Sequence, residues 1–344
     1  MKTMITTHAI YFRDASAMEE LHPGSINLVV TSPPYPMIGM WDGLFGSDPK
    51  IRRALETADG KRAHELMHRS LDRVWREVDR ALMPSGIACV NIGDATRTLD
   101  GEFRLYPNHV RISRFFIEAG YDMLPLVLWR KHSNKPNKFM GSGMIPPNAY
   151  VTLEHEYILI FRKGGNRQFP REDRCRRRSA YFREERNTWF SDVWSDLRGV
   201  SQRLNGSGKG RDRSAAYPFE LPYRLINMYS LQGDTVLDPF AGTGTTTLAA
   251  MASGRNSVGY EIDAMLEPVI ESRVIRAGEI ANSIAAERLD RHSRHADNSS
   301  NAISPYISRA YGFKVKTSQE TDLELPVVEE VGKTGPCKYK VTYR

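Results

Sequence analysis

The sequence has no long apolar run and little cysteine. No uninterrupted apolar stretch reaches the length of about 18 residues that a membrane-spanning helix needs, and the first residues lack the apolar core of a signal peptide. The 344 residues include three cysteines, Cys89, Cys175 and Cys337, which show neither the paired spacing of a zinc site nor a disulfide framework. We therefore expect a cytoplasmic protein in a reduced setting, without a membrane segment.

Positive charge is distributed unevenly along the chain. The net charge is +7, but residues 162–213 contain 15 Lys and Arg against 7 Asp and Glu, whereas the remainder contains 33 against 34. A basic excess confined to one segment of a neutral scaffold is typical of a surface that binds an anionic polymer such as nucleic acid. The alternative is a solvated, loop-rich surface. Aromatic residues within the segment, such as Trp189 and Trp194, argue against a merely disordered tail.

Strands alternate with helices along most of the chain. Short β-branched runs at residues 26–30 and 235–237 predict buried strands, and apolar residues at helical spacing predict an amphipathic helix over residues 63–82. Such alternation indicates an α/β fold with a mostly parallel sheet and helices on both faces. The irregular residues 36–61 predict a long lid or binding loop. After residue 276 the sequence is polar, with only weak strand signals near its end.

The stretch Thr31-Ser32-Pro33-Pro34-Tyr35 directly follows the first of these strands. Two consecutive prolines remove backbone donors and fix φ at about −65°, so the chain forms a stiff ledge at the carboxyl end of the strand, where open α/β sheets bind ligands. The ledge offers the Ser32 hydroxyl, carbonyls without neighbouring N–H groups, and the aromatic face of Tyr35. This set suits a planar group with an exocyclic amine. Taken alone, the motif is also compatible with a simple turn.

A second stretch, Asp238-Pro239-Phe240-Ala241-Gly242-Thr243-Gly244-Thr245, links a strand to the start of a helix. Its glycines let the backbone approach a ligand, and the N–H groups of the helix start can bind the ligand's polar end. Glu261 ends the next strand, where its carboxylate can bind both hydroxyls of a ribose. No Gly-Lys-Ser/Thr follows, so a phosphate loop for ATP or GTP is not expected. Asp238 would repel a pyrophosphate but attract S-adenosylmethionine, which carries positive charge and ribose hydroxyls.

Together, the two motifs resemble those of amino-group DNA methyltransferases. Their order, with the catalytic motif first, a basic segment between and the cofactor motif last, resembles the β class. The resemblance covers approximately residues 10–276 and implies a circularly permuted Rossmann-like fold, S-adenosylmethionine as cofactor, no metal, and double-stranded DNA as substrate. It divides the chain into a catalytic part at 1–161, a basic target-recognition region at 162–214, a cofactor-binding part at 215–276 and a C-terminal extension of unknown role at 277–344.

The resemblance also implies roles for individual residues. The catalytic residues would be Ser32, Pro33, Pro34 and Tyr35. The cofactor-binding residues would be Asp14, Thr31, Pro222, Asp238, Pro239, Phe240, Gly242, Gly244, Thr245 and Glu261. The DNA-binding residues would be Lys131, Arg174, Arg176, Arg177 and Arg178. The sequence departs from the family pattern at Asp14, the acidic residue expected near the adenine, because Arg13 replaces the glycine that usually precedes it.

Ser32, the first residue of the Ser-Pro-Pro-Tyr motif, indicates the target base. Serine there resembles the enzymes that methylate N4 of cytosine, whereas the N6-adenine enzymes of this architecture usually carry aspartate or asparagine. Ser32 and the Pro33 carbonyl would hold both N–H bonds of the amine, so that the nitrogen lone pair points at the methyl carbon, while Tyr35 would stack on a base extruded from the duplex. N4-cytosine methylation is therefore the prediction, with N6-adenine methylation as the alternative on the same fold.

Other classes of protein stay open at this point. A dinucleotide-dependent oxidoreductase would use Gly-x-Gly and Glu261 but leave the ledge without a role. A non-catalytic DNA-binding protein would not need Ser32 and Tyr35 intact, and a related fold could methylate RNA or protein. C5-cytosine methylation needs a cysteine nucleophile, and Cys337 lies outside any strand–turn context. A cognate restriction endonuclease is a candidate partner, not necessarily in contact with the chain, which is expected to be a monomer or homodimer.

Overall fold

A computed structural model of the protein describes residues 4–131, 140–170, 173–198, 217–298 and 305–344. The strands are β1 (Met4–Phe12), β2 (Ile26–Thr31), β3 (Leu82–Ile92), β4 (Ala95–Leu99), β5 (Glu102–Tyr106), β6 (Tyr121–Arg130), β7 (Met140–Gly141), β8 (Ala149–Tyr150), β9 (His155–Lys163), β10 (Val193–Trp194), β11 (Thr235–Asp238), β12 (Asn256–Glu261), β13 (Tyr306–Ile307), β14 (Lys314–Val315), β15 (Val328–Gly335) and β16 (Lys338–Tyr343). The helices are α1 (Asp42–Phe45), α2 (Pro49–Glu56), α3 (Gly60–Ala81), α4 (Asn108–Glu118), α5 (Arg174–Arg178), α6 (Arg183–Trp189), α7 (Glu220–Tyr229), α8 (Thr245–Ala252), α9 (Glu267–Ile275) and α10 (Ala277–Asn298). Within these described ranges, no helix is long and apolar enough to cross a membrane.

One large sheet organises the molecule. Among the described residues it contains ten strands in the order β10-β6-β9-β3-β2-β11-β12-β1-β16-β15. The five central strands, from β3 to β1, run parallel, whereas β9 and β16 run antiparallel to their neighbours. Because successive side chains of a strand point to opposite faces, Leu28 and Val30 pack with α7 and α8, while Val29 packs with α3 and α4. The predicted α/β fold, mostly parallel and covered on both faces, is confirmed.

The predicted long loop at residues 36–61 is wrong in part, since α1 and α2 lie within it. The Asp48 side chain accepts a hydrogen bond from the Lys50 N–H at 2.8 Å and caps α2. Pro49 follows at the first helical position, where its missing N–H costs nothing. This Asp-Pro pair is a helix-start signal, but α2 is only two turns long and lies among glycines and charged residues that favour a loop.

The C-terminal residues contain a 22-residue helix, α10, and two strands of the main sheet rather than only weak strand signals. The buried residues of α10 recur at helical spacing, but they are small or polar instead of large and apolar. They are Ala277, Ala281, Ala285, Arg288 and His292. A search for large apolar side chains misses such a helix, although its alanines allow close packing against α8.

A buried ion pair joins α10 to α6. The side chains of Arg288 and Glu185 are each 4% exposed. The guanidinium donates to both carboxylate oxygens, at 2.5 and 2.7 Å, and to the Tyr223 hydroxyl at 2.8 Å. The C-terminal part of the chain is thereby fastened to the basic segment.

Replacing Arg288 with methionine should lower the free energy of unfolding by about 3–5 kcal/mol, because it leaves a carboxylate buried without its partner. Urea unfolding measures this loss. The double variant Arg288→Met/Glu185→Leu should recover most of it, since an apolar pair of similar volume carries no buried charge. A double variant as unstable as the single one would contradict this account of the ion pair.

Candidate active site

The carboxyl ends of the parallel strands meet at one edge of the sheet, where they border a cavity of about 830 Å³. The ledge after β2, the loop after β11 and the end of β12 form its walls, and residues of the segment 40–48 also line it. The predicted residues that line it are Asp14, Ser32, Pro33, Pro34, Tyr35, Pro239, Phe240, Gly242, Thr245 and Glu261. Two motifs far apart in the sequence therefore face one space.

The ledge rests on Asn108, the first residue of α4. Pro107 precedes the helix and makes no side-chain cap hydrogen bond, and the Asn108 side chain is buried. Its Nδ2 donates to the carbonyls of Pro36, at 3.1 Å, and Gly93, at 2.9 Å. Its Oδ1 lies 3.0 Å from the ring Nε2 of His68, whose pKa is lowered by burial to about 3. A neutral, buried polar cluster thus joins the end of the ledge to the loop after β3.

The Tyr35 hydroxyl lies within a network of polar side chains. Ser32 Oγ donates to the Tyr35 hydroxyl at 3.2 Å, and that hydroxyl donates to Glu156 Oε2 at 2.8 Å. Asn91 Nδ2 donates to the same two groups, at 2.9 and 2.7 Å. Lys131 Nζ forms an ion pair with Glu156 Oε1 at 2.8 Å. Burial, together with the Glu156 charge, raises the pKa of Tyr35 well above its usual value, so the phenol is protonated.

The loop after β11 has the geometry of a cofactor cradle. Gly242 and Gly244 have φ of +54° and +75°, a region that favours glycine. The N–H groups of Gly242 and Asp263 donate to the two oxygens of Glu261, each at 2.8 Å, which fixes the carboxylate at the cavity wall. The nearest atom to a Cβ built on Gly242 is the Phe240 carbonyl oxygen, at 4.0 Å. This open space and fixed carboxylate fit the ribose end of S-adenosylmethionine.

Asp238 connects the cradle to the ledge. Its side chain is buried, and Oδ1 accepts a hydrogen bond from the Thr31 hydroxyl at 2.6 Å. Oδ2 accepts from the hydroxyls of Thr246, at 2.6 Å, and Tyr217, at 3.2 Å. Burial raises the pKa of Asp238, and these hydrogen bonds oppose that rise. Neither Thr31 nor Asp238 lines the cavity. Both lie behind its wall, where their hydrogen bond fixes the ledge relative to the cofactor loop.

The remaining predicted cofactor residues occupy different places. Asp14 lines the cavity, and its Oδ1 accepts a hydrogen bond from the Ser16 N–H at 2.8 Å. Gly244 precedes α8 and lies behind the wall, where a Cβ would meet Ile270 at 3.5 Å. Pro222 is buried in the first turn of α7 and does not line the cavity.

The four predicted DNA-binding arginines of α5 lie at the opposite edge of the sheet from the ledge. Because β9 runs antiparallel to β3, the chain leaves it at the amino ends of the parallel strands. Arg176 and Arg177 border a cleft there together with Asn27, near the start of β2, and Arg178 forms an ion pair with Glu324 at 2.9 Å. Asn27 and Ser32 are five residues apart along this strand and its end, which separates the cleft from Ser32 by about 16 Å. DNA contact by these arginines stays a prediction, and the geometry does not bring them to the cavity.

Lys131, by contrast, follows β6 at the edge where the ledge lies, and it pairs with Glu156. Residues 199–214 of the predicted target-recognition region, and residues 132–139 after Lys131, lie outside the described residues. The predicted DNA-binding residues therefore lie at two different edges of the sheet, the arginines of α5 at one and Lys131 at the other.

Two polar residues of the site, Asn91 and Glu156, were not among the predicted site residues. They lie at the ends of β3 and β9, and the hydroxyls of Tyr217 and Thr246 donate to Asp238. The available signal is weak but physical: a polar side chain at the end of an apolar strand run must find a partner or reach a ligand. Cys337 is buried at the turn between β15 and β16, and burial raises the pKa of its thiol, which does not suit a nucleophile.

Comparison with known proteins agrees with this geometry. A family model described as DNA methylase, for N6 and N4 methyltransferases, matches residues 26–271. The chain is 57% identical over 326 residues to the Type II methyltransferase M.MthZI of Methanothermobacter thermautotrophicus, covering 94% of this chain and 91% of that protein. The structure of a putative DNA modification methylase from Thermus thermophilus, complexed with S-adenosyl-L-methionine, is 31% identical and has a TM-score of 0.61, covering 78% of this chain and 94% of that one.

The fold is also shared with PvuII DNA methyltransferase (cytosine-N4-specific), at 18% identity and a TM-score of 0.54, covering 81% of this chain and 93% of that one. The ledge precedes the cofactor loop along the chain, which is the β-class order. The family leaves the oxidoreductase alternative without support. The chain belongs to the DNA methylase family of N6 and N4 amino methyltransferases, and its cofactor is S-adenosylmethionine.

Proposed function

We propose that this protein methylates N4 of cytosine within a specific sequence of duplex DNA. The observation that supports the proposal is the uncharged side chain of Ser32, which directly precedes the two prolines of the ledge. Its hydroxyl proton is directed to Tyr35, which leaves the oxygen lone pairs to accept an N–H bond from an amine. Serine at this position is the feature that the sequence resemblance associates with N4-cytosine enzymes, and N6-adenine methylation is the competing candidate on the same fold.

The ledge residues act on the amine and on the ring that bears it. The amine lone pair is delocalised into the ring, so the amine is a poor nucleophile. Ser32 Oγ and the Pro33 carbonyl accept its two N–H bonds and turn the nitrogen toward tetrahedral geometry. The Tyr35 ring stacks on the base after it leaves the duplex. The bound cofactor supplies a methyl group on a sulfonium, which departs as a neutral group.

The cavity walls supply orientation. Glu261 holds the ribose hydroxyls, and the Gly242 backbone lets the cofactor approach closely. Trp41, Phe45 and Phe240 give the cavity an apolar lining that excludes water from the reacting groups. In-line placement at near-attack distance accounts for much of the acceleration, because orientation removes an entropic barrier. Lys131 would bind the phosphate backbone at this edge.

The product base tests the proposal directly. Genomic DNA from a host that expresses the protein should yield N4-methylcytosine in nucleoside mass analysis, and methylation-sensitive sequencing should place it at one recurring sequence. N6-methyladenine instead would overturn the choice of base. The matched control is a host that expresses Ser32→Ala.

A companion endonuclease is part of the same proposal, since the M.MthZI relative is named a Type II methyltransferase. Such an endonuclease would cut the unmethylated form of the recurring sequence. DNA from the expressing host should resist a restriction enzyme that cuts that sequence, whereas DNA from the Ser32→Ala host should be cut. Cleavage of both DNAs would argue against a protective role.

A further inference from the structure

A chain of hydrogen bonds leads from the cavity to a carboxylate that neither sequence motif contains. It runs from Ser32 Oγ to the Tyr35 hydroxyl, at 3.2 Å, and from there to Glu156 Oε2, at 2.8 Å. In both links the hydroxyl nearer the cavity donates outward, toward Glu156. The side chain of Glu156 is only 12% exposed, so this series of hydrogen bonds ends at a carboxylate that is largely removed from water.

Amino methylation creates a proton that must leave. When the amine nitrogen bonds to the methyl carbon it becomes cationic, and a neutral product forms only after one of its N–H bonds breaks. Ser32 is the side chain of the ledge that accepts such an N–H bond, but a neutral alcohol is a weak base. It can take this proton only if it passes on its own.

We propose that Glu156 is the terminal proton acceptor of the reaction, reached through Ser32 and Tyr35. The amine N–H bond breaks as a new O–H bond forms on Ser32. The original Ser32 proton moves to the Tyr35 oxygen, and the Tyr35 proton moves to Glu156 Oε2. Each hydroxyl gains one proton and loses one, and Glu156 becomes neutral. This inference rests on the proposed amino methylation, and it assigns the Tyr35 hydroxyl a role separate from the stacking of its ring.

The surroundings of Glu156 suit this role. Asn91, which is 2% exposed, donates to both the Tyr35 oxygen and Glu156 Oε2 and so fixes the angle between them. Lys131 forms an ion pair with the other oxygen, Oε1, so that Oε2 is the oxygen that faces the Tyr35 hydroxyl. A Cβ on Gly93 would lie 3.0 Å from the Tyr35 ring and 3.4 Å from Glu156 Cγ, so the backbone packs closely against the network.

Two other carboxylates at this edge of the sheet accept hydrogen bonds from other residues. Asp238 accepts hydrogen bonds from Thr31, Thr246 and Tyr217 behind the cavity wall. Asp94 accepts from the backbone N–H of His109, and both of its oxygens lie 2.8 Å from the His109 ring Nδ1. Glu156 therefore supplies, through Tyr35, the negative charge that Ser32 lacks.

Two substitutions that preserve shape test the relay. Tyr35→Phe removes the hydroxyl and keeps the stacking ring, and Glu156→Gln removes the charge and keeps the size. Each should lower kcat by about 100-fold or more, the usual contribution of a proton-transfer group. KM for DNA, the dissociation constant of S-adenosylmethionine and the melting temperature should stay near those of the parent. Glu154→Gln is the matched control, because Glu154 is 41% exposed and pairs with Arg130, and it should retain the parent kcat.

The double variant separates a relay from two independent structural losses. Because both substitutions break one chain, Tyr35→Phe/Glu156→Gln should be no slower than the slower single variant. Additive losses, or full kcat in Tyr35→Phe, would overturn the relay and leave Tyr35 as a stacking platform. The proposed base can fail separately: if the parent produces N6-methyladenine, the same losses still support the relay, because that amine also releases a proton.

Discussion

Replacing Ser32 with alanine should abolish methyl transfer while leaving both ligands bound. The change removes the oxygen that accepts an amine N–H bond and the donor to Tyr35, so the amine lone pair is no longer directed at the methyl carbon. The expected fall in kcat is at least about 100-fold, as for loss of a proton-transfer or charge-stabilising group. Single-turnover methylation measures the rate, and titration of S-adenosylmethionine and of duplex DNA measures the two affinities.

Ser47→Ala is a suitable control for this prediction. Ser47 also lines the cavity, but its hydroxyl donates to the Leu44 carbonyl at 2.8 Å and serves only the local turn. It should keep the parent rate within a few-fold. A Ser32→Ala enzyme as fast as the Ser47→Ala enzyme would remove Ser32 from the mechanism.

Replacing Gly242 with valine should weaken binding of S-adenosylmethionine. A β-branched residue is strained at the observed φ of +54°, and such strain costs about 1–3 kcal/mol. The side chain would also occupy the open space beside the loop, and any shift of the loop would remove the Gly242 N–H from Glu261. We expect the lost ligand contact to raise the dissociation constant at least about tenfold, a factor that corresponds to about 1.4 kcal/mol. Isothermal titration calorimetry measures it.

A substitution at a second glycine distinguishes the effect of backbone strain from the effect of a lost ligand contact. Gly233 has φ of +84° and lies in the turn before β11, at the edge away from the cavity. Gly233→Val should therefore lower the melting temperature but leave the cofactor affinity unchanged. An unaltered affinity in Gly242→Val, with the protein folded, would place the cofactor elsewhere.

The sequence predicts the parts of the site that are local. The ledge and the cofactor loop each consist of consecutive residues after a strand, so proline pairs, glycines and strand ends are enough to locate them. The partners of these motifs are not local. Tyr35 and Glu156 are 121 positions apart, and Tyr35 and Asn91 are 56 apart. Their contact depends on the order of the strands in the sheet, which a single sequence does not reveal.

Charge composition predicts the sign of a binding partner's charge but not where on the molecule the partner binds. The basic excess after β9 predicts an anionic partner, yet the direction of β9 sends the first part of that segment to the edge away from the cavity. Some of its arginines serve the fold instead, as Arg178 does with Glu324. The helix α10 shows a related limit, because its buried face uses alanines, Arg288 and His292, whose identities alone favour an exposed helix.

The 2.6 Å hydrogen bond from Thr31 to Asp238 joins stretches 207 positions apart, and it has a thermodynamic consequence. Any displacement of Asp238 that accompanies cofactor binding acts on Thr31 and so on the ledge that receives the base. By linkage, the factor by which bound cofactor changes the affinity for the extruded base equals the factor by which the base changes the affinity for the cofactor. This contact provides a route for cooperativity within a single subunit, without a moving domain.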